Sequence, residues 1–221
     1  GYNGPNLPHL DRLFFSPVHY ALVLYSALIE TGRMAPEGLD QFNVDGSSVE
    51  LIGAEHSPGH EVTAGSLGHC ISQAAGVAFA RKLKGEAGMN WVFMSDGEFQ
   101  EGQVWEAFAA MSYHGIENVG VFVDANAQQC DGAMDAVMTI EPLRSRLESF
   151  GAHVVEVDGH DAEALAEAGA QRASGQPLAV IARTDPCRGL DLLQKRAPKL
   201  HYIRFKSQEE MHAYEKALEE M

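Results

Sequence analysis

Two oxygen-bearing side chains each follow a buried apolar run in this sequence, and both suit a divalent metal ion. The run Trp91–Met94 predicts a buried strand and leads into a polar turn containing Asp96. The run Val119–Val123 predicts a second strand and is followed shortly by Asn126. Because parallel strands end at one edge of a sheet, where ligands bind, we expect the carboxylate and the amide to lie close together. A hard cation binds such oxygens and completes its octahedron with phosphate and water.

The turn after the first strand also has the features of a phosphate site. Gly97 lets the backbone approach a phosphate closely, and the start of the next helix offers free N–H groups. That helix is predicted to be amphipathic, with one apolar face formed by Val104, Phe108, Ala109 and Met111. On these residues alone an alternative stays open, in which the Asp and Asn only cap a helix and a turn.

The residues around these two positions resemble the diphosphate motif of thiamine-diphosphate enzymes, which is normally Gly-Asp-Gly followed by Asn after a helix and a strand. Within that superfamily the sequence is most similar to transketolases. The matching sequence segments are Asp96-Gly97-Glu98, Gln100-Glu101-Gly102 and Asp124-x-Asn126-x-x-x-x-Asp131-Gly132. Ser95 stands where the family has its first glycine. The resemblance implies thiamine diphosphate and Mg²⁺ as cofactors, with Ca²⁺ or Mn²⁺ as substitute ions.

The resemblance also implies a role for each matching residue. The metal ligands would be Asp96, Asn126 and the backbone carbonyl of Gln128. Gly97, through its N–H group, and Glu98 would belong to the cofactor-binding residues, together with Asp96 and Asn126. Glu101 matches a family residue at the subunit contact near the cofactor, so it is included with the catalytic residues in a structural or communicating role.

Three further stretches resemble the same family. The segment from Asp11 to His19 is similar to D-R-F-V-L-S-x-G-H, which places His19 beside the thiazolium and diphosphate, although Val18 replaces the usual glycine. The stretch 58–69 is similar to P-G-x-E-x-T-x-G-x-L-G-x. There the resemblance implies that the backbones of Gly65 and Leu67 cradle the aminopyrimidine. His201 matches a loop histidine that closes over cofactor and donor, so His19 and His201 are the catalytic histidine candidates.

The sequence departs from the family where transketolases carry a Gly-His that reaches the donor sugar. Ile52 stands at that place, and a buried Ile52 predicts poor binding of ordinary sugar-phosphate donors. Histidines occur instead at His56, His60 and His69. Altered substrate chemistry and plain loop histidines are two open alternatives for these three. A metal site on the first two is not favoured, because Pro58 and Gly59 between them prevent a shared helical face.

The overall pattern predicts one α/β domain over residues 1–221. We expect a mostly parallel sheet with helices on both faces, which is the fold that the resemblance implies for the diphosphate-binding (PP) domain. Gly76 lies within a predicted helix and indicates close packing against the sheet or the cofactor. The remaining predicted helices and strands are Tyr20–Glu30, Pro36–Phe42, Ile71–Lys84, Glu141–Phe150, His153–Val157, Ala162–Ala173 with Asp161 as its N-cap, Leu178–Thr184 and Gln208–Glu220.

Composition excludes some classes of partner. The formal net charge is −15, which argues against nucleic acid and anionic membranes. No apolar run reaches membrane-spanning length. The three cysteines, an odd number without metal-type spacing, favour a reducing cytoplasm.

The resemblance implies a subunit of a split transketolase. Such an enzyme transfers a two-carbon ketol or acyl unit from a ketose or 2-oxo donor to an aldehyde acceptor. The pyrimidine-binding domain, with the glutamate that activates the cofactor, would reside on a partner, a C-terminal transketolase subunit, in a heterotetramer that acts on small molecules. The match begins partway into the family pattern, so a preceding segment with a further histidine is expected; disorder, truncation and deletion are alternatives for it. Two other functions stay open: an α-subunit of a 2-oxo acid dehydrogenase, or a non-catalytic scaffold.

Overall fold

A computed structural model of the chain describes residues 6–201 and 203–220. The strands of the described part are, in chain order, β1 (Arg12–Phe15), β2 (Asn90–Ser95), β3 (Val119–Ala125), β4 (Gln128–Gln129), β5 (Gly132–Ala133), β6 (His153–Asp158) and β7 (Leu178–Arg183). Five of them form one parallel sheet in the order β1-β2-β3-β7-β6. The two shortest, β4 and β5, pair as a small antiparallel hairpin.

The α-helices of the described part are α1 (Ala21–Glu30), α2 (Cys70–Lys84), α3 (Gly102–Tyr113), α4 (Met134–Val137), α5 (Leu143–Ser149), α6 (Ala162–Ala170) and α7 (Gln208–Glu219). Short 3₁₀ turns cover Val18–Tyr20, Pro36–Gln41, Asp96–Gln100 and Asp191–Arg196. Across the described ranges, no helix has the length and apolar character needed to cross a bilayer.

Helices cover both faces of the sheet, as predicted. Side chains of a strand alternate between faces, so Val121 and Phe122 of β3 belong to different cores. Val121 lies in the larger core, with buried residues of α2, α3 and α5. Phe122 packs on the other face with Ala168 of α6. Because both faces are buried, the central strands are almost continuously apolar, and the sequence predicted them from that property.

Three sequence predictions need correction. The strand β1 was not expected, since its four residues carry little periodicity and it is stabilised by pairing with β2, about eighty residues away. Ala109 is exposed, and the buried face of α3 contains Ala107 in its place. Gly76 is also exposed, and a Cβ added there would meet no atom within 4 Å, so it does not mark close packing. The predicted N-cap is confirmed, because Asp161 accepts hydrogen bonds from the N–H groups of Glu163 and Ala164.

One buried arginine joins α2 to the start of the sheet. Arg81 is 3% exposed, and its guanidinium donates to the carbonyls of Pro8, Leu10 and Met89. It also donates to the side chains of Asn90 and Glu86. The planar, multi-donor guanidinium can satisfy all these acceptors at once, whereas an ammonium cannot. Arg81 therefore fixes the chain entering β1 against the first residue of β2.

We expect Arg81→Met to destabilise the domain strongly. The change leaves buried carbonyls and a partly buried carboxylate without their donor, which costs about 3 kcal/mol or more. For a chain of this size, thermal unfolding should shift down by roughly 6–12 °C. The control is Arg144→Met, which removes an exposed arginine on α5 that pairs with Glu148. Equal, small shifts for both variants would contradict this role of Arg81.

Candidate functional site

The predicted site residues converge at the carboxyl edge of the sheet. His19 follows β1, Asp96 follows β2, Asn126 follows β3, and His201 lies in the segment after β7. Ser95 pairs in register with Asp124, so the turns leaving β2 and β3 begin side by side. The parallel strand order thus brings together residues that are up to 182 positions apart.

Asp96 is the central charged group of these turns. It is 3% exposed, and its Oδ2 accepts a 2.8 Å hydrogen bond from the N–H of Ala127. Its Oδ1 is buried and has no hydrogen-bond partner among the described residues. Burial raises the pKa of Asp96 to about 6, and the nearby carboxylate of Asp124 contributes to the rise. A buried carboxylate oxygen without a donor is an unusual and costly arrangement, which a bound cation would relieve.

The turn after β3 is held by its own polar groups. The amide oxygen of Asn126 accepts a 2.8 Å hydrogen bond from the N–H of Gln128, and its Nδ2 donates to Asp124 at 2.9 Å. The hydroxyl of Thr184, just after β7, donates to the other oxygen of Asp124. Ala127 has φ +57°, a left-handed conformation, so the chain turns sharply and presents its N–H to Asp96. The orientation of the Asn126 amide is therefore fixed.

The donor set fits a hard cation such as Mg²⁺. Asp96 offers a free Oδ1, and the Asn126 oxygen retains a second acceptor position. In the described residues no three His, Cys, Asp or Glu side chains form a metal cluster, so this set depends on amide and peptide oxygens. A Cβ added at Gly97 would meet only Gln129, at 3.9 Å. The protein's own packing leaves space in front of Gly97, which suits the approach of a phosphate.

Glu98 does not face this space. Its side chain is 0% exposed, and its oxygens accept hydrogen bonds from Ser16, Gly68 and Ser95. Ser95 and Glu98 form a capping box around the 3₁₀ turn, so the serine that departs from the family pattern has a local structural role. Burial raises the pKa of Glu98, and these hydrogen bonds oppose the rise. The predicted cofactor contact of Glu98 is thus corrected for its side chain, which is enclosed by protein.

The two predicted histidines contact each other. The ring centroids of His19 and His201 are 5.8 Å apart, although the residues are 182 positions apart in the chain. Burial lowers the pKa of His19, and the neighbouring His201 lowers it further. Tyr20 adjoins both rings, at 4.4 Å from His19 and 6.4 Å from His201. Burial raises the pKa of Tyr20, and the negative charges of Asp124, Asp96 and Glu98 raise it further.

The loop that leads into α2 forms the next part of this edge. Gly65 and Leu67 are exposed, and a Cβ at Gly65 would meet nothing within 4 Å. Gly68 has φ +78°, and a Cβ there would lie 2.9 Å from Glu101, so this position requires glycine. Glu101 is exposed at the start of α3. Gly65, Leu67 and Glu101 are therefore accessible to a ligand or a partner.

The region that departs from the family is also resolved. Ile52 is 57% exposed, which corrects the expectation that it is buried, and the N–H of neighbouring Gly53 donates to Val18. His60 is buried against the rings of Phe15 and Tyr25. The other histidines of this region lie elsewhere: His56 pairs with Glu50 at 2.9 Å, and His69 precedes α2 with its ring near the carbonyl of Leu67.

Sequence reasoning missed three residues of the site. Tyr20 stands at the start of the predicted helix, where an aromatic residue gives no distinct signal of a site. Asp124 lies within a recognised motif, but its hydrogen bonds to Asn126 and Thr184 depend on the fold. Ser16 reaches Glu98 across 82 positions of the chain, a contact without any local signal.

The chain resembles known proteins across most of its length. A family model described as "Transketolase, thiamine diphosphate binding domain" matches residues 2–197. An uncharacterised transketolase family protein of Sinorhizobium fredii is 36% identical over 203 residues, covering 90% of this chain and 72% of that protein. The 6-deoxy-6-sulfo-D-fructose transketolase subunit SqwG of a Clostridium species is 32% identical over 185 residues, covering 82% and 67%.

The fold of the chain is also similar to that of a solved transketolase. The crystal structure of transketolase from Campylobacter jejuni superposes with a TM-score of 0.78 at 24% identity, and it covers 99% of this chain but 39% of that one. The chain thus spans about two fifths of the length of that enzyme. From the family match over residues 2–197 and the two relatives, this chain belongs to the transketolase family and is a thiamine-diphosphate-binding domain of that family.

Proposed function

We propose that this chain is the diphosphate-binding subunit of a split, Mg²⁺-dependent transketolase. The enzyme would transfer a two-carbon unit from a ketose or 2-oxo donor to an aldehyde acceptor. The observation that carries the proposal is the buried Oδ1 of Asp96, which has no partner in the described residues. The other oxygen of this carboxylate accepts from the N–H of Ala127, the residue that follows Asn126. Three free cysteines in the described chain, one of them exposed, are consistent with a reducing compartment such as the cytoplasm.

In the proposed complex the turns at the sheet edge hold the cofactor's charged end. Asp96, Asn126 and the peptide oxygen of Gln128 would hold Mg²⁺, and the N–H of Gly97 would donate to a phosphate oxygen. Bound thiamine diphosphate would supply the carbon–carbon bond chemistry. Glu98 would act as a positioning residue, because it accepts from the backbone N–H of Gly68 and from that of Ser95, which directly precedes Asp96. Gly65 and Leu67 would contact the aminopyrimidine.

The histidine pair would lie at the reacting end of the cofactor. With its pKa lowered, His19 is neutral at pH 7 and carries one ring donor and one ring acceptor. A neutral imidazole can donate to, or accept from, a substrate hydroxyl without placing a cation beside His201. Tyr20 would limit the space next to the pair, since its ring packs edge-on against His19 with the centroids 4.4 Å apart.

Exposed apolar residues around this edge support docking of a partner subunit. Ile52 is 57% exposed, Leu67 is 39% exposed and Met138 is 55% exposed. Each is connected to the site. Ile52 adjoins Gly53, whose N–H donates to the carbonyl of Val18, and Leu67 adjoins Gly68, whose N–H donates to Glu98. The carbonyl of Met138 accepts from the side chain of Gln100. Apolar side chains at the rim of a polar site are typical of an interface. The proposed partner is a C-terminal transketolase subunit, two copies of each forming a heterotetramer.

We expect Asp96→Asn to weaken Mg²⁺-dependent binding of thiamine diphosphate by roughly a hundredfold, or about 3 kcal/mol. The amide keeps the shape of the side chain but removes the charge that attracts the cation. Isothermal titration calorimetry of the complex with a co-expressed C-terminal subunit measures this change. Asp40→Asn, at an exposed position in the 3₁₀ turn Pro36–Gln41, is the charge-matched control. Equal affinities for the two variants would rule out Asp96 as a metal ligand.

We expect His19 to titrate below the ordinary histidine pKa of about 6.5, because burial and the charge of His201 both disfavour its protonated form. His201→Ala should raise the pKa of His19 by removing the second cause. NMR titration of the ring protons gives both values, with His153→Ala at the start of β6 as control. A wild-type pKa of His19 above the ordinary value would contradict this arrangement.

We expect the chain alone to show no ketol transfer. Half of the cofactor site, including the glutamate that activates the aminopyrimidine, would lie on the partner, and obligate interfaces of this kind bury more than about 2,000 Å². The assay compares the chain alone, the chain with a co-expressed C-terminal subunit, and the same complex carrying Asp96→Asn. Activity is expected only in the unmodified complex, so sustained turnover by the lone chain would overturn the split-enzyme proposal.

A further inference from the structure

Positive charge is concentrated in one short part of this acidic chain. Residues 188–206, which we call the basic segment, contain six of the sixteen Lys and Arg residues and a single acidic residue. The segment has a net charge of +5, whereas the whole chain carries −15. Such segregation creates a local positive potential on an otherwise negative surface.

A cavity lies where the basic segment packs against α7. Its volume is about 690 Å³, within the usual range of small-molecule sites. Three lysines contribute to its lining, Lys195, Lys199 and Lys206, and an aromatic and apolar part comes from Leu192, Ala213 and Tyr214. We call it the lysine cavity.

The cavity is built on a fixed frame. The guanidinium of Arg196 donates to Glu210 of α7, to the hydroxyl of Tyr214 and to the carbonyl of Arg204. The ring of Phe205 packs on Tyr214 with centroids 5.2 Å apart. Arg196 and Glu210 largely neutralise each other, so the charge that remains at the cavity comes from the lysines.

The three lysines have charge to offer a ligand. In the described ranges, none of their ammonium groups forms an ion pair with a carboxylate within 4.0 Å. All three residues are exposed, so a ligand can reach them. Several ammonium groups around one concave surface with an aromatic wall suit a small organic molecule bearing a tetrahedral oxyanion.

We propose that the lysine cavity binds a sugar-sized phosphate or sulfonate at a site separate from the cofactor site. None of the lining residues belongs to the predicted cofactor-binding or metal-binding set. An extended nucleic acid does not suit it, because the chain outside the basic segment is strongly negative. The site does not depend on the proposed transketolase activity, since its lining comes only from the basic segment and α7.

The test measures binding of ribose 5-phosphate to the purified chain by calorimetry at low ionic strength, with unphosphorylated ribose as the neutral control. Inorganic phosphate and 2-hydroxyethanesulfonate, run in parallel, separate recognition of phosphate from recognition of sulfonate. Lys195→Gln, Lys199→Gln and Lys206→Gln should each weaken binding about threefold, and the triple variant roughly thirtyfold. Lys84→Gln, at an exposed lysine on α2, is the matched control and should change nothing.

Two further variants distinguish this site from the active site. His19→Gln should leave binding of ribose 5-phosphate in the cavity intact, and the triple lysine variant should keep its affinity for thiamine diphosphate with Mg²⁺. Circular dichroism and thermal unfolding check that each variant is folded. The proposal is overturned if none of the anions binds, if the lysine variants bind like the wild type, or if His19→Gln abolishes binding while the lysine variants do not.

Discussion

The buried carboxylate of Glu98 is the interaction on which the arrangement of the site depends. It accepts hydrogen bonds from Ser16 at the end of β1, from Gly68 before α2 and from Ser95 at the end of β2. Hydrogen bonds to a charged group contribute about 1.5–3 kcal/mol each, and a missing acceptor would leave several buried donors unsatisfied. One side chain thereby fixes three separate segments relative to one another. The turn that carries Asp96 is one of the pieces it holds.

The residues that fix the shape of the site are thus distinct from those that have polar atoms available to bind a ligand. Glu98, Asp124 and Thr184 have their polar atoms engaged within the protein, and they orient the neighbouring turns. Asp96, by contrast, retains a buried oxygen without a donor in the described residues. This division explains why a motif residue can be essential in position yet enclosed in the interior. It also explains how Ser95 is accommodated, since its hydroxyl completes a cap that glycine could not form.

Much of the frame could be predicted from the sequence, because buried parallel strands and long amphipathic helices carry strong local patterns. β2, β3, β7 and α2 were all expected close to their observed bounds. β1 was missed because its four residues are stabilised by pairing with a distant strand. The prediction that Ala109 belongs to the buried face of α3 was wrong because this residue does not fit the helical spacing. The buried residues follow the i, i+3, i+4, i+7 pattern: Val104, Ala107, Phe108 and Met111. The contact of His19 with His201 could not be obtained from local pattern, only from family resemblance.

The exposed apolar residues around the site, Ile52, Leu67 and Met138, form an apolar rim at the sheet edge. This rim has a thermodynamic consequence for the proposed assembly. If the cofactor lies between this rim and the partner, then closing the subunit interface and enclosing the cofactor are the same event. Thermodynamic linkage then requires that, if the partner subunit raises the affinity for the cofactor by some factor, the cofactor raises the affinity between the subunits by the same factor. Bound thiamine diphosphate would then stabilise the association of the subunits. The fraction of assembled enzyme would depend on the concentration of thiamine diphosphate in the cell.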